Sequence, residues 1–262
     1  MGIKNILIVY TTPRTDEQKS SLSSVKEALK KIGISYSIAN RDRLSEGQFA
    51  GREFVIAVGG DGTFLRAAQF AKEHKLFGVN SDVLHKEGFF MKSNKDNFED
   101  KLKKIINRRY EIKKLPRLEA RINGKKIDSV ALNEFFVGAK KPYQSSKYII
   151  KIGGRKERQK SSGVLVATPA GSHSWAKSSC GKTLPLGSSM CQLVVREPYE
   201  GRVFGNYKSK YKLLKNGQKV DIFSEMLGGV LIADSVGKEH CLKDGDWVAI
   251  KMSNKPLNWV LV

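Results

Sequence analysis

The 262-residue chain holds three cysteines, Cys180, Cys191 and Cys241, and no two of them are closely spaced. That scarcity excludes a disulfide framework and predicts free thiols in a reducing compartment. Its four histidines are scattered, none of them spaced with a cysteine or another histidine, which offers no metal site. No apolar run approaches the roughly 18–20 residues needed to cross a bilayer. The opening Met1–Tyr10 reads as a first strand and carries no signal or transit pattern, so the expected compartment is cytoplasmic. Acids are few: 26 Asp and Glu stand against 47 Lys and Arg, a formal net charge of +21. Such a surface concentrates anions. The basic residues are densest at 101–126, 151–160 and 208–219, but no aromatic-interleaved basic motif or helix-turn-helix pattern is present. The expectation is an anionic substrate, with no specific nucleic acid partner and no membrane.

The first hundred residues alternate in an α/β manner. Strands are predicted at 4–10, 34–39, 54–58 and 75–80, and helices at 16–32, 63–74 and 96–107. This alternation implies a parallel, Rossmann-like sheet with ligands at the carboxyl ends of its strands. From about 109 the pattern changes to short alternating runs, at 129–137, 148–152, 164–167, 192–196, 219–223, 230–234 and 247–252. Asn-Gly, Gly-Gly and Asp-Gly signals at 123–124, 153–154, 216–217 and 244–245 read as hairpin turns. One helix remains, at about 172–179. The predicted class is α/β plus all-β: an N-terminal α/β domain over 1–107, then a β-sandwich-like domain over 108–262.

Three motifs carry chemistry. The apolar run Phe54–Val58 passes directly into Gly59-Gly60-Asp61-Gly62-Thr63 and a helical pattern. Glycines there let a phosphate approach backbone N–H groups. Asp61 repels phosphate, so its presence suggests a loop that also handles the proton of an acceptor hydroxyl, as in a kinase acting on a small alcohol. The pair Asn133-Glu134 lies within a strand pattern. It suits bidentate hydrogen bonding to ribose hydroxyls or a base edge, or else is an exposed strand end. In Ser161–Trp175 a strand breaks at Thr168-Pro169, turns through Gly171 and starts a helix. That arrangement suits a nucleotide seat, or an ordinary strand–turn–helix with Trp175 in the core.

In this order and at these separations the three motifs resemble the NAD kinase family, over about residues 54–250. Within it, the chain most resembles the mitochondrial type. The marks are Gly78-Val79-Asn80-Ser81-Asp82 followed by Glu87-Gly88, Gln159–Gly163, Gly171-Ser172 with Trp175, and Arg196-Glu197-Pro198 with Arg202-Val203-Phe204. The common bacterial pattern differs, with Asp in place of Ser162 and Tyr in place of Trp175. The resemblance implies transfer of the γ-phosphoryl of ATP, with Mg²⁺, to the 2′-hydroxyl of the adenosine ribose of NAD, giving NADP. Inorganic polyphosphate as donor and NADH as acceptor stay open.

By resemblance, Asp61 is the catalytic base, and Gly59, Gly60, Gly62 and Thr63 bind the donor's phosphates. Asn133, Glu134, Ser162, Ser174, Trp175 and Ser178 bind NAD, with Trp175 stacking. Asp82 and Arg202 shape the site or contact phosphate. No protein-held metal is implied, and the assembly implied is a homodimer. Two other classes compete: a lipid or diacylglycerol-type kinase, which shares the glycine turn, and a non-catalytic nucleotide- or polyanion-binding protein.

Overall fold

A computed structural model describes residues 5–262; Lys4, which the sequence pattern includes in the first strand, lies outside them. The chain divides into two compact units, residues 1–114 with 257–262, and residues 115–256. The sequence pattern placed the division at 107/108 and kept the C-terminal residues with the β-rich part.

In the first unit the apolar runs form a seven-stranded sheet. Its order is Tyr36–Asn40, Ile6–Tyr10, Phe54–Gly59, Lys75–Asn80, Leu257–Leu261 and Glu111–Leu115, with Met91–Asn94 also pairing Lys75–Asn80. The first four strands and Leu257–Leu261 run parallel. Residues of Ile6–Tyr10, Phe54–Gly59 and Lys75–Asn80 are buried on both faces, as parallel strands under helices require, while the edge strand Tyr36–Asn40 leaves Ile38 exposed. Helix Asp16–Lys31 is capped by Thr15, which accepts from the Gln18 amide. It packs Val25, Ala28 and Leu29 on the face that also receives Phe98, Leu102 and Ile105 of helix Phe98–Ile106.

The second unit is two six-stranded sheets. One runs Arg155–Ser161, Ser146–Ile152, Lys219–Ser224, Trp247–Met252, Leu118–Ile122, Lys125–Ala131. The other runs Tyr211–Leu214, Cys191–Arg196, Gly163–Ala167, Glu134–Ala139, Gly229–Ala233, His240–Leu242. Tyr148, Ile150, Ile222 and Ile250 of the first pack against Phe135, Val137, Val164 and Leu193 of the second in one core, a sandwich.

Two turn signals act as expected. Asn123-Gly124, with φ of 50° and 80°, and Gly153-Gly154 close antiparallel hairpins. The turns at 216–217 and 244–245 instead carry the chain from one sheet to the other, since Tyr211–Leu214 and His240–Leu242 lie in a different sheet from the strands that follow them. Turn chemistry fixes a reversal, not a partner. The single run predicted at 129–137 is also two strands, broken at Leu132-Asn133.

Candidate active site

Strand Phe54–Gly59 ends in the glycine turn, and helix Asp61–Phe70 begins at once, with Gly60 as its N-cap. Asp61 is therefore in the first helical turn. Its Oδ2 accepts from the Phe89 amide and its Oδ1 from the Phe90 amide, both at 2.9 Å. Among the described residues it makes no ion pair. It is half-buried and lines a cavity of about 680 Å³ with Gly60, Gly62, Arg14, Arg41 and Lys86. Two backbone donors fix the carboxylate's direction and leave one lone-pair position on each oxygen for a further partner.

The loop that grips Asp61 is itself pinned by aromatic rings. Phe90 stacks on Phe64 with centroids 4.8 Å apart and meets Trp259 edge-on at 5.9 Å. Trp259 Nε1 donates to the Phe90 carbonyl at 3.1 Å. Phe90 thus connects the C-terminal strand to the candidate base.

Two cations straddle the turn, and the motif reading missed both. A Cβ at Gly60 would lie 3.0 Å from Lys86 Cδ, and one at Gly62 would lie 3.4 Å from Arg41 Nη1. Lys86 Nζ donates to the Ser81 hydroxyl at 2.9 Å. Burial holds its ammonium below the ordinary lysine range, with Arg41 adding to the effect and Asp82 opposing it. A bound anion would relieve that strain. Neither residue stands in a motif; each arrives from a loop that topology places beside the turn.

Two predicted phosphate contacts are placed differently. Thr63 is fully buried and folded back on Gly59, where a Cβ would fall 2.2 Å from its Oγ1. Its hydroxyl accepts from Arg41 Nη1 at 3.4 Å. Thr63 and Gly59 therefore support the turn and its cation, while Gly60, Asp61 and Gly62 line the cavity. Asp82 lies outside that lining. It accepts from His85 and Gln18, and the His85 hydrogen bond holds its carboxyl below the usual range. Arg202 is exposed and lines neither this cavity nor the one described next.

In the second unit, Asn133 and Glu134 sit at the strand break and are 6 % and 3 % exposed. Asn133 Oδ1 and Glu134 Oε2 are buried without a hydrogen-bond partner among the described residues. Such atoms cost stability unless a ligand completes them. Burial, and then the charge of Asp234, pushes the Glu134 carboxyl up to about 8.

The break has a cause the motif does not show. Asp234 accepts from three successive amides, Leu132 at 3.0 Å, Asn133 at 2.7 Å and Glu134 at 3.3 Å, diverting them from the strand ladder. The Thr168-Pro169-Ala170-Gly171 turn closes the other side. Thr168 Oγ1 donates to the Leu132 carbonyl at 2.5 Å, and a Cβ at Gly171 would fall 2.1 Å from the Asn133 oxygen.

Trp175 and Ser162 line a second cavity of about 440 Å³ with Phe136, Arg196 and Glu197. The indole stacks on Phe136 at 5.3 Å, and the Arg196 guanidinium lies 4.6 Å from its centroid. Trp175 is thus a preset wall of that cavity. Ser174 and Ser178 stand exposed at the start and end of the single turn Trp175–Ser178.

A family model described as the ATP-NAD kinase N-terminal domain matches residues 6–110. An NAD kinase of Thermoplasma volcanium is 31 % identical over 209 residues, covering 79 % of this chain and 73 % of that protein. The chain belongs to the NAD kinase family. A probable NADH kinase of Oryza sativa is 26 % identical across 97 % of this chain and 84 % of its own length. Among solved structures, an NAD kinase of Archaeoglobus fulgidus in complex with ATP superposes with a TM-score of 0.78 at 26 % identity, covering 98 % and 92 % of the two chains. Yeast NADH kinase complexed with NADH gives 0.83 at 16 %, covering 100 % of this chain and 84 % of that one, which shows the shared fold. Family membership sets the chain apart from the lipid-kinase alternative.

Proposed function

We propose that this chain phosphorylates the 2′-hydroxyl of the adenosine ribose of NAD, giving NADP. One observation carries the reading: a carboxylate fixed by two backbone amides, at the edge of a polar cavity and between two cations. Phosphoryl transfer of this type depends on positioning and charge neutralisation. Asp61 accepts the proton of the ribose hydroxyl as the ribose oxygen bonds to the terminal phosphorus. The bond from that phosphorus to the bridging oxygen breaks, and its electron pair leaves on the shortened donor. Arg41, Lys86 and the backbone amides at Gly60 and Gly62 hold the donor's phosphates.

Asn133 and Glu134 engage the adenosine ribose and base through their unpartnered atoms. Trp175, Ser162, Ser174 and Ser178 complete the NAD seat. Family neighbours named for NAD and NADH, and one bound to ATP, support these ligand classes.

Among the described residues no three His, Cys, Asp or Glu side chains gather to hold a metal. The Asp42 and Glu87 carboxylates in the cavity lining fit Mg²⁺ arriving on the donor's phosphates, since this ion usually takes one or two protein carboxylates and keeps the rest from substrate and water. When bound, it neutralises phosphate charge. The cavity's lining holds no aliphatic or aromatic side chain, which suits the phosphate chain that ATP and inorganic polyphosphate share.

The test is purified protein with NAD and Mg²⁺ plus either ATP or polyphosphate, with product scored by phosphorus NMR as a 2′-phosphate. NADP from at least one donor is expected; no 2′-phosphate from either would overturn the reading. The assembly proposed is a homodimer, which sedimentation of the same sample measures. No helix among the described residues is long and apolar enough to cross a membrane.

A further inference from the structure

The sheet that contains Trp247–Met252 buries one face in the sandwich core and leaves the other partly open, with Asp221 in its centre buried. Directly paired residues in antiparallel strands share a face, so the registers define what that open face carries. One continuous row across all six strands reads Lys156, Lys151, Asp221, Ala249, Arg121, Lys126. Neighbouring strands lie about 4.8 Å apart, so this row is about 24 Å long. The adjoining row on one side reads Arg158, Ile149, Phe223, Trp247. Beyond the other side lie Lys219, Lys251 and Glu119.

Its acids are already spoken for. Glu119 pairs with Lys126 at 2.8 Å and Lys251 at 3.4 Å, Asp221 pairs with Lys219 at 3.1 Å, and Glu225 at the end of the sheet pairs with Arg158 at 2.8 Å. Lys151 and Lys156 make no ion pair among the described residues, and Arg121 donates to the Gly124 carbonyl. Amid these cations Phe223 and Trp247 stack at 6.3 Å with their planes 27° apart, both half-buried. Lys156 and Lys219 lie over their rings at 5.9 and 6.0 Å. Because Ala249 is small, a dent of about 200 Å³ opens beside Trp247, walled by Arg121, Lys219 and Lys251.

We propose that this open face is a docking platform for single-stranded nucleic acid, a role beyond NAD phosphorylation. Charge complementarity names the class: Lys151, Lys156 and Arg121, outside any ion pair among the described residues, and a surplus of cations over acids across the face, on a chain of net charge +21, meet a phosphate backbone. The aromatic pair narrows it, because unstacked bases bind by stacking on rings set in a basic surface. A duplex is disfavoured, since its major groove admits a helix or a two-stranded ribbon but not a flat six-stranded face. A second copy of the chain would bring like charge against like. No residue of this face belongs to the proposed catalytic or NAD-binding set. It escaped the sequence reading because its cations and rings come from strands spread between residues 121 and 251.

The experiment uses the full chain and a fluorescent oligothymidylate of about 20 nucleotides, longer than one such site requires. Anisotropy is followed at low and moderate salt, with unlabelled duplex, long-chain polyphosphate and phosphatidylserine vesicles as competitors. The strand is expected to bind, to weaken steeply with salt and to bind more tightly than any of the three competitors. Trp247→Ala should lower affinity by roughly tenfold. The double variant Lys151→Gln with Lys156→Gln, which removes both charges without setting an acid opposite Asp221, should reduce the salt slope while keeping a cooperative thermal transition. Absence of binding, tighter binding of any competitor, or an unchanged affinity in both variants would overturn the proposal.

Discussion

Asp234 shows how a single residue can set a site it is not part of. Its carboxylate holds three amides around Asn133 and Glu134 while buried near Arg117, whose guanidinium burial lowers to about 10. Asp234→Asn would turn one acceptor into a donor facing an amide, a buried mismatch typically costing about 1–3 kcal/mol. The Michaelis constant for NAD should then rise about tenfold while that for the phosphoryl donor stays put, a split that general destabilisation would not produce. Asp61 was legible in the sequence because its glycines and strand are its immediate neighbours. Asp234 was not, since about a hundred residues separate it from the amides it holds. Arg41 and Lys86 stayed hidden for the same reason.

Glu134 adds a pH dependence with a definite sign. Its folded value, about 8, lies above the ordinary 4.5, so the folded chain keeps a proton that the unfolded chain releases. Stability contributed by this group is therefore lost as pH rises from about 4.5 to about 8, on the order of a few kcal/mol at most. Glu134→Gln should lose less stability than the parent over that window, as read from thermal midpoints at pH 5 and pH 8. Parallel pH curves for the two proteins would count against a buried protonated carboxyl.

At the scale of elements, the α/β alternation and most strands were readable from hydrophobic period, and the glycine turn fell where expected. Leu257–Leu261 was missed, because a short run after a long β-rich stretch reads as part of that stretch. It inserts instead beside Lys75–Asn80 and brings Trp259 to the Phe90 carbonyl. The C-terminal strand therefore buttresses the Asp61 loop. Trp259→Phe removes that hydrogen bond but keeps the ring. Turnover should fall several-fold with the Michaelis constant for NAD little changed, a pattern steady-state kinetics would reveal. Loss of NAD binding instead would show that the strand acts elsewhere.

For the whole molecule, composition foretold free thiols: Cys180, Cys191 and Cys241 are all unpaired, and burial pushes the Cys191 thiol up to about 12. Composition did not foretell how the charge is arranged, since a count of lysines has no geometry until strands are paired. The account rests most heavily on Asp61 as the proton acceptor, a role typically worth about 10²–10⁴ in rate. Its most direct test is single-turnover phosphoryl transfer by Asp61→Asn against the parent chain, with NAD affinity measured on the same samples. The account predicts a transfer rate lower by at least about a hundredfold and NAD binding within a few-fold of the parent. Transfer at the parental rate would contradict it.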